Sequence, residues 1–178
     1  MLQIGSVVDG KYKELSIIGQ GGMSVVYLAL NERANKTWAI KEIRKEGVQD
    51  FSTVKKGLIA EIDILKNLNH KYLPSIVDII DDGDNFLIVM DYIQGKSLHT
   101  ILKEKMEQEG KPISLEDTIS WGKQLCDVLY YLHTRPNPII YRDMKPANVM
   151  LRPNGEIALI DFGTARVFKS GNSEDTTC

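Results

Sequence analysis

Tyr141-Arg142-Asp143-Met144-Lys145-Pro146-Ala147-Asn148 decides the reading of this chain. It follows Ile139-Ile140, so a short apolar strand runs straight into an aspartate, a lysine and an asparagine. Packing such groups beside a buried apolar segment costs free energy unless they work. A second apolar run, Ile157-Ala158-Leu159-Ile160, also opens onto a carboxylate, in Asp161-Phe162-Gly163. Asp161 is an oxygen ligand suited to Mg2+, and Gly163 permits the backbone to turn.

Upstream of these loops the pattern is helical. The spacing predicts one helix over Ser97 to Glu109 and another over Ser114 to Thr134. Ser114 is placed to cap the second, with Asp117 three residues on, and its apolar stripe includes Ile119, Leu125, Val128, Leu129 and Leu132. Cys126 falls in that apolar pattern and is expected as a small core residue.

The first ninety residues have another character. Tyr12 to Gln20 reads as a strand ending in a glycine turn. Ser24 to Asn31 alternates, with Val26, Leu28 and Leu30 on one face and Val25, Tyr27 and Ala29 on the other. After a polar turn to Lys36, Thr37 to Ile43 forms a third strand. A helix is expected over Thr53 to Asn67, with Leu58, Ile62, Leu65 and Leu68 at helical spacing. Strands Ile76 to Asp81 and Phe86 to Asp91 flank the turn Asp82-Gly83-Asp84-Asn85. The plan is α+β: a strand-rich lobe over 1–91, a connector at 92–96 and a helical lobe over 97–178.

Two further signals lie in the strand-rich part. Gly19-Gln20-Gly21-Gly22-Met23-Ser24 sits between strands, where glycines let backbone N–H groups approach phosphate oxygens. A plain glycine hairpin is the competing reading. No helix follows, which argues against a dinucleotide fold, and no Gly-Lys-Ser/Thr is present, which excludes a Walker loop. The other signal is Trp38-Ala39-Ile40-Lys41, twenty residues before Glu61. A phosphate-binding lysine needs a carboxylate to hold it. Alone, Lys41 reads as a strand-edge solubiliser and Glu61 as a surface glutamate.

Taken in order, the four motifs closely resemble the protein-kinase family, with a run like that of bacterial Ser/Thr members in Gly21-Gly22-Met23-Ser24. The resemblance extends from about Tyr12 to Thr177 and implies a bilobal kinase fold. It implies a glycine loop of Gly19, Gly21, Gly22 and Ser24 over the phosphates of ATP, with Ser24 replacing the family's third glycine. Lys41 would contact the α- and β-phosphates and pair with Glu61. Asp143 would take the acceptor hydroxyl proton, Lys145 would steady the γ-phosphate, and Asn148 and Asp161 would hold Mg2+, with Mn2+ as an alternative ion. Ile18, Val26, Ala39, Met90 and Met150 would enclose adenine, and backbone groups of Asp91 and Ile93 would bind its edge. Leu65, Ile76, Tyr141 and Phe162 would form an apolar stack. The family's usual histidine before Arg142 is Tyr141 here. Lys145, two residues after the base, resembles the Ser/Thr group rather than tyrosine kinases. Thr176 and Thr177 fall where the family is phosphorylated.

The resemblance stops in the activation segment, short of an Ala-Pro-Glu-like motif and further helices. The expectation is a truncated kinase, with a natural short product or part of a longer protein as alternatives. The 114–134 helix would then lack an intrachain partner, and self-association through the incomplete helical lobe is expected. The resemblance implies protein substrates with Ser/Thr acceptors; a nucleotide-binding regulatory module without catalysis is the alternative, and a small-molecule kinase a weaker one.

Composition narrows the rest. A net charge of −2 offers no basic field for nucleic acid, and Lys55-Lys56 reads as a solvated helix face. No apolar run approaches the roughly 18 residues of a membrane span. Two cysteines, Cys126 and Cys178, lie far apart and fit a reducing cytoplasm.

Overall fold

The computed structural model of the chain describes residues 2–21, 24–44, 51, 52, 55, 56, 59, 62, 65–81, 86–161 and 166–167. The chain divides into two compact units: Met1–Asn69 with Pro74–Gln94, and His70–Leu73 with Gly95–Cys178. The architecture is α+β, a strand-rich unit and a unit carrying two long helices.

The first unit is built on a six-stranded antiparallel sheet. Its strands are β1 (Val7–Val8), β2 (Tyr12–Gln20), β3 (Ser24–Asn31), β4 (Lys36–Ile43), β5 (Ile76–Asp81) and β6 (Phe86–Asp91), in the order β1-β2-β3-β4-β6-β5. β3 shows why it forms. Val25, Tyr27 and Ala29 are fully buried, while Val26, Leu28 and Leu30 are half-exposed, so the alternation of the sequence becomes the two faces of the sheet. The buried set packs with Val8, Tyr12, Ile40, Leu87 and Val89. Burying each large apolar side chain contributes about 1.5–3 kcal/mol. The β3–β4 turn is set by Asn31, whose Oδ1 accepts from the Ala34 N–H at 3.0 Å, and by Asn35, which takes a φ of 46°.

Two carboxylates share that packed face. Glu14 and Glu42 are only 1% and 4% exposed. Ser6 Oγ donates to Glu14 Oε2 at 2.6 Å, and the Tyr27 hydroxyl donates to Glu42 Oε2 at 2.8 Å. Burial, with that bond to Glu42, pushes the Tyr27 phenol up to about 12. Burial also raises the Glu14 carboxyl, against the Ser6 bond.

The described residues between 51 and 65 are helical, and Lys66–Asn67 form a turn, so this helix lies about two residues earlier than expected. Ile62 packs with Ile43, Phe86 and Ile88. Leu58, Glu61 and the turn 82–85 lie outside the described residues. Lys55 is not simply solvated: its Nζ pairs with Asp81 Oδ1 at 2.6 Å.

The second unit holds α1 (Leu98–Glu109) and α2 (Leu115–His133), with short strands β7 (Lys96–Ser97), β8 (Ile139–Ile140), β9 (Val149–Leu151), β10 (Ile157–Leu159) and β11 (Arg166–Val167). β10, β9 and β7 form one sheet, and β11 pairs with β8. Both helices start at a serine cap. Ser97 Oγ accepts from Thr100 N, and Ser114 Oγ accepts from Asp117 N at 3.0 Å while donating to Asp117 Oδ2 at 2.6 Å.

The expected lack of an intrachain partner for α2 is corrected. Val128 and Leu132 are fully buried, and α2 packs on β8 and β10. Gln124 fastens the helix to the β9–β10 turn, donating to Gly155 O at 3.1 Å and accepting from Ile157 N at 3.0 Å. Ile119 stays exposed. So does Cys126, contrary to the expectation of a core residue: at 100° per residue it lies on the side of α2 away from Val128. Ile139 is buried but Ile140 is not, so only half of that strand is core. No described helix is long and apolar enough to cross a membrane.

Candidate functional site

In the first unit, strand register gathers the residues singled out in β3, β4 and β6. Val26 pairs with Lys41, and Lys41 with Ile88; one row along, Leu28 pairs with Ala39, and Ala39 with Met90. Alternation then puts Val26, Ala39, Lys41 and Met90 on one face, opposite the packed core of Tyr27, Ile40 and Val89. Gly19 pairs with Val26 next to a bulge at Ile17/Gly19, and the Gly21 N–H donates to Ser24 O at 2.8 Å. A Cβ at Gly19 would meet Val26 at an ordinary 3.6 Å, and one at Gly21 would meet Ser24 at 3.8 Å. Neither packing within the chain nor positive φ therefore requires these two glycines. Ile18 is exposed beside them. Gly22 lies outside the described residues.

The connector is braced at its start. Asp91 donates its N–H to Ser75 O at 3.0 Å, accepts the Ser75 N–H on Oδ2 at 3.0 Å, and holds Lys36 Nζ on Oδ1 at 3.3 Å. Its N–H is thus held within the chain. Ile93 is buried. Gly95 has a φ of 145°, and a Cβ there would lie 2.0 Å from Leu151 O. Sequence reading missed this requirement.

The second unit brings together Asp143, Lys145, Asn148 and the backbone leading to Asp161. Beyond β8 the chain turns sharply: the Asp143 N–H donates to Tyr141 O at 2.8 Å across Arg142, whose φ is 63°. That is a strained three-residue turn for a residue with a Cβ. A 3-10 turn, Pro146–Asn148, follows, with Pro146 fitting its start. Lys145 Nζ reaches Asp143 Oδ2 at 2.7 Å. Asn148 Nδ2 donates to the same oxygen at 2.9 Å and to the Asp143 carbonyl at 3.0 Å. The bond from Lys145, more than that from Asn148, holds the Asp143 carboxyl below the usual range. Only Asn148 of this trio is buried; Asp143 and Lys145 keep 34% and 53% of their side chains exposed. The cost of burial in this trio therefore falls mainly on Asn148.

Tyr141 is 2% exposed, and burial pushes its phenol up. Its hydroxyl donates to Ile160 O, and the Ile160 N–H donates to Asn148 O at 2.9 Å. The residue before Asp161 is thus held from both sides, and Asp161 itself takes a left-handed φ of 62°. The hydroxyl bond was not legible in sequence; its only signal was a tyrosine where the family usually has histidine. Met150 lies in β9, paired with Ala158 and Ser97. Glu61, Phe162, Thr176 and Thr177 lie outside the described residues.

The donor set suits a hard cation. With Nδ2 turned to Asp143, Asn148 has Oδ1 as its remaining ligand atom, and Asp161 supplies an exposed carboxylate; two such oxygens fit Mg2+ better than a softer metal. Among the described residues there is no group of three or more His, Cys, Asp or Glu side chains that could hold a metal.

Comparison with known proteins agrees with this geometry. The model of the protein kinase domain matches residues 12–178. Serine/threonine-protein kinase PknD of Chlamydia muridarum is 32% identical over 165 residues, covering 89% of this chain. A probable serine/threonine-protein kinase of Clostridium perfringens is 31% identical over 173 residues, covering 97% of it. The chain spans only 17% of the first relative's length and 24% of the second's. The chain belongs to the protein kinase domain family.

Proposed function

We propose that the protein carrying this chain transfers the γ-phosphoryl group of ATP to serine or threonine hydroxyls of proteins. The observation that carries the reading is the Asp143–Lys145–Asn148 set, tied through Asn148 O to the backbone just ahead of Asp161. In this reading the acceptor hydroxyl loses its proton to Asp143 as its oxygen bonds to the γ-phosphorus. The bond from that phosphorus to the β,γ-bridging oxygen breaks, and ADP leaves. Asp143, held ionised by Lys145, is ready to accept a proton. Lys145 Nζ is also placed to move from Asp143 toward a γ-phosphate oxygen.

Lys41 holds the α- and β-phosphates, with Glu61 as its partner. Gly19, Gly22 and Ser24 offer backbone N–H groups, that of Gly21 being held by Ser24 O, and the room at Gly19 and Gly21 supports a close approach by phosphate. Ile18, Val26, Ala39, Met90 and Met150 supply apolar surface for adenine, and Asp91 and Ile93 offer backbone groups. Asn148 and Asp161 would hold Mg2+, which when bound supplies positive charge against the phosphate oxygens. Serine/threonine preference rests on Lys145 and on the names of the relatives.

The test is transfer from γ-labelled ATP to a mixed protein substrate by the protein that carries the chain, followed by phosphoamino-acid analysis. Label on serine and threonine, lost in Asp143→Asn while ATP still binds, is the expected result. Nucleotide binding with no transfer would instead identify a regulatory module, and phosphotyrosine alone would overturn the acceptor assignment.

A further inference from the structure

The segment His70–Leu73 belongs to the second unit although it lies between two stretches of the first. Its bonds explain why. Tyr72 O accepts from Leu159 N at 2.8 Å, two residues before Asp161, and Lys71 O accepts from Arg152 Nη1 at 2.9 Å. The segment closes on itself through Leu73 N to His70 O at 2.9 Å. His70 links it to α2. The ring lies against Tyr131 at 4.8 Å and edge-on to Tyr72 at 5.4 Å. Its Nε2 sits 3.6 Å from Asp127 Oδ2, and its Nδ1 accepts from Tyr72 N at 3.3 Å.

The bonds fix the tautomer. An Nδ1 that accepts a backbone N–H carries no proton, so the neutral ring bears its hydrogen on Nε2, toward Asp127. Protonating Nδ1 would set two donors against each other at Tyr72. We propose that His70 is a proton-sensitive fastening: neutral, it holds the Tyr72 N–H and steadies β10; protonated, it keeps its place beside Asp127 but frees Tyr72 and loosens the Tyr72–Leu159 bond.

The charged and titratable groups facing it are Asp127 and Tyr131 from α2 and Lys71 and Tyr72 from its own segment, with Arg135 stacked on Tyr131 at 4.9 Å. Asp127 favours the charged ring and Lys71 opposes it. Burial outweighs both, so the ring lies below its ordinary value of 6.5. The sign follows: the fastening is fully present above 6.5 and is lost as pH falls through the lowered value of the folded protein. It stands on these contacts whatever Asp161 binds.

Two measurements on the whole chain test it. Nitrogen-15 correlation spectra give the tautomer and titration of His70, with exposed His99 and His133 as references in the same sample. The expected result is an Nε2–H ring that protonates at lower pH than an unfolded histidine. Hydrogen exchange at the Tyr72 and Leu159 amides, corrected for intrinsic rates, should lose protection by up to about tenfold per pH unit through the titration. In His70→Asn, which keeps an acceptor near Nδ1 but does not titrate, that step should vanish. An Nδ1–H tautomer, protection that ignores pH in the wild type, or a step that persists in His70→Asn would each overturn the proposal.

Discussion

Asn148 Nδ2 grips Asp143 twice, at 2.9 Å on the carboxylate and at 3.0 Å on the backbone carbonyl. The buried asparagine therefore orients the proposed base while its other amide atom is left for a cation. Asn148 O also accepts from Ile160 N, so one residue links the base to the approach to Asp161. Truncating it should misplace both.

Asn148→Ala should lower transfer by about 10- to 150-fold, the equivalent of roughly 1.5–3 kcal/mol for a hydrogen bond to a charged group. The comparison is kcat at saturating Mg·ATP, with circular dichroism confirming the fold. Wild-type turnover in the variant would show that Asp143 is oriented by something else.

Gly95→Ala should destabilise the second unit. The new Cβ would collide with Leu151 O, where β9 pairs with β7, and the φ of 145° is strained for alanine. Backbone strain of this kind costs about 1–3 kcal/mol before any clash. Each kcal/mol lowers the melting midpoint by roughly 2–4 °C in a chain of this size. An unchanged midpoint would mean that the connector shifts freely away from Leu151.

Glu14→Gln should change how stability depends on pH. Burial raises the Glu14 carboxyl above its ordinary 4.5, so the folded protein holds this proton more tightly than the unfolded chain. Its contribution is greatest below 4.5 and is lost as pH rises through the raised value. The neutral variant should therefore lose less stability than wild type as pH rises toward neutrality. Urea unfolding across that range reads the difference, and parallel curves would contradict a buried, proton-holding Glu14.

Ser114→Ala should cost about 1 kcal/mol, the usual loss for an N-cap. Both halves of the Ser114–Asp117 exchange disappear in this variant. Ser114→Thr should recover most of the loss in a thermal melt. Equal midpoints for serine, alanine and threonine would show that α2 is held by Val128 and Leu132 alone.

Much of the fold was legible because its signals are local. The limits of β2, β3, β5 and β6 follow from alternation and flanking turn residues, and both long helices begin at the serines that cap them. The resemblance alone singled out Val26, Ala39, Lys41 and Met90, and strand register puts them on one face. What sequence could not supply depends on distant partners. Gly95 matters because of Leu151 O, and the 70–73 segment joins the second unit through Leu159 and Arg152. Cys126 and Val128 look alike in an apolar run, and only the rotation of α2 on β8 and β10 separates them. The Asp143 set was legible as a motif, but not the sharing of one carboxylate oxygen by Lys145 and Asn148.

Isothermal calorimetry of the 178-residue chain with ATP, with and without Mg2+, tests the central claim most directly. The account predicts saturable one-to-one binding that is strengthened by Mg2+, weakened in Lys41→Met, and stripped of its Mg2+ dependence in Asp161→Asn. A folded, cooperatively melting sample that takes up no heat from Mg·ATP would contradict it.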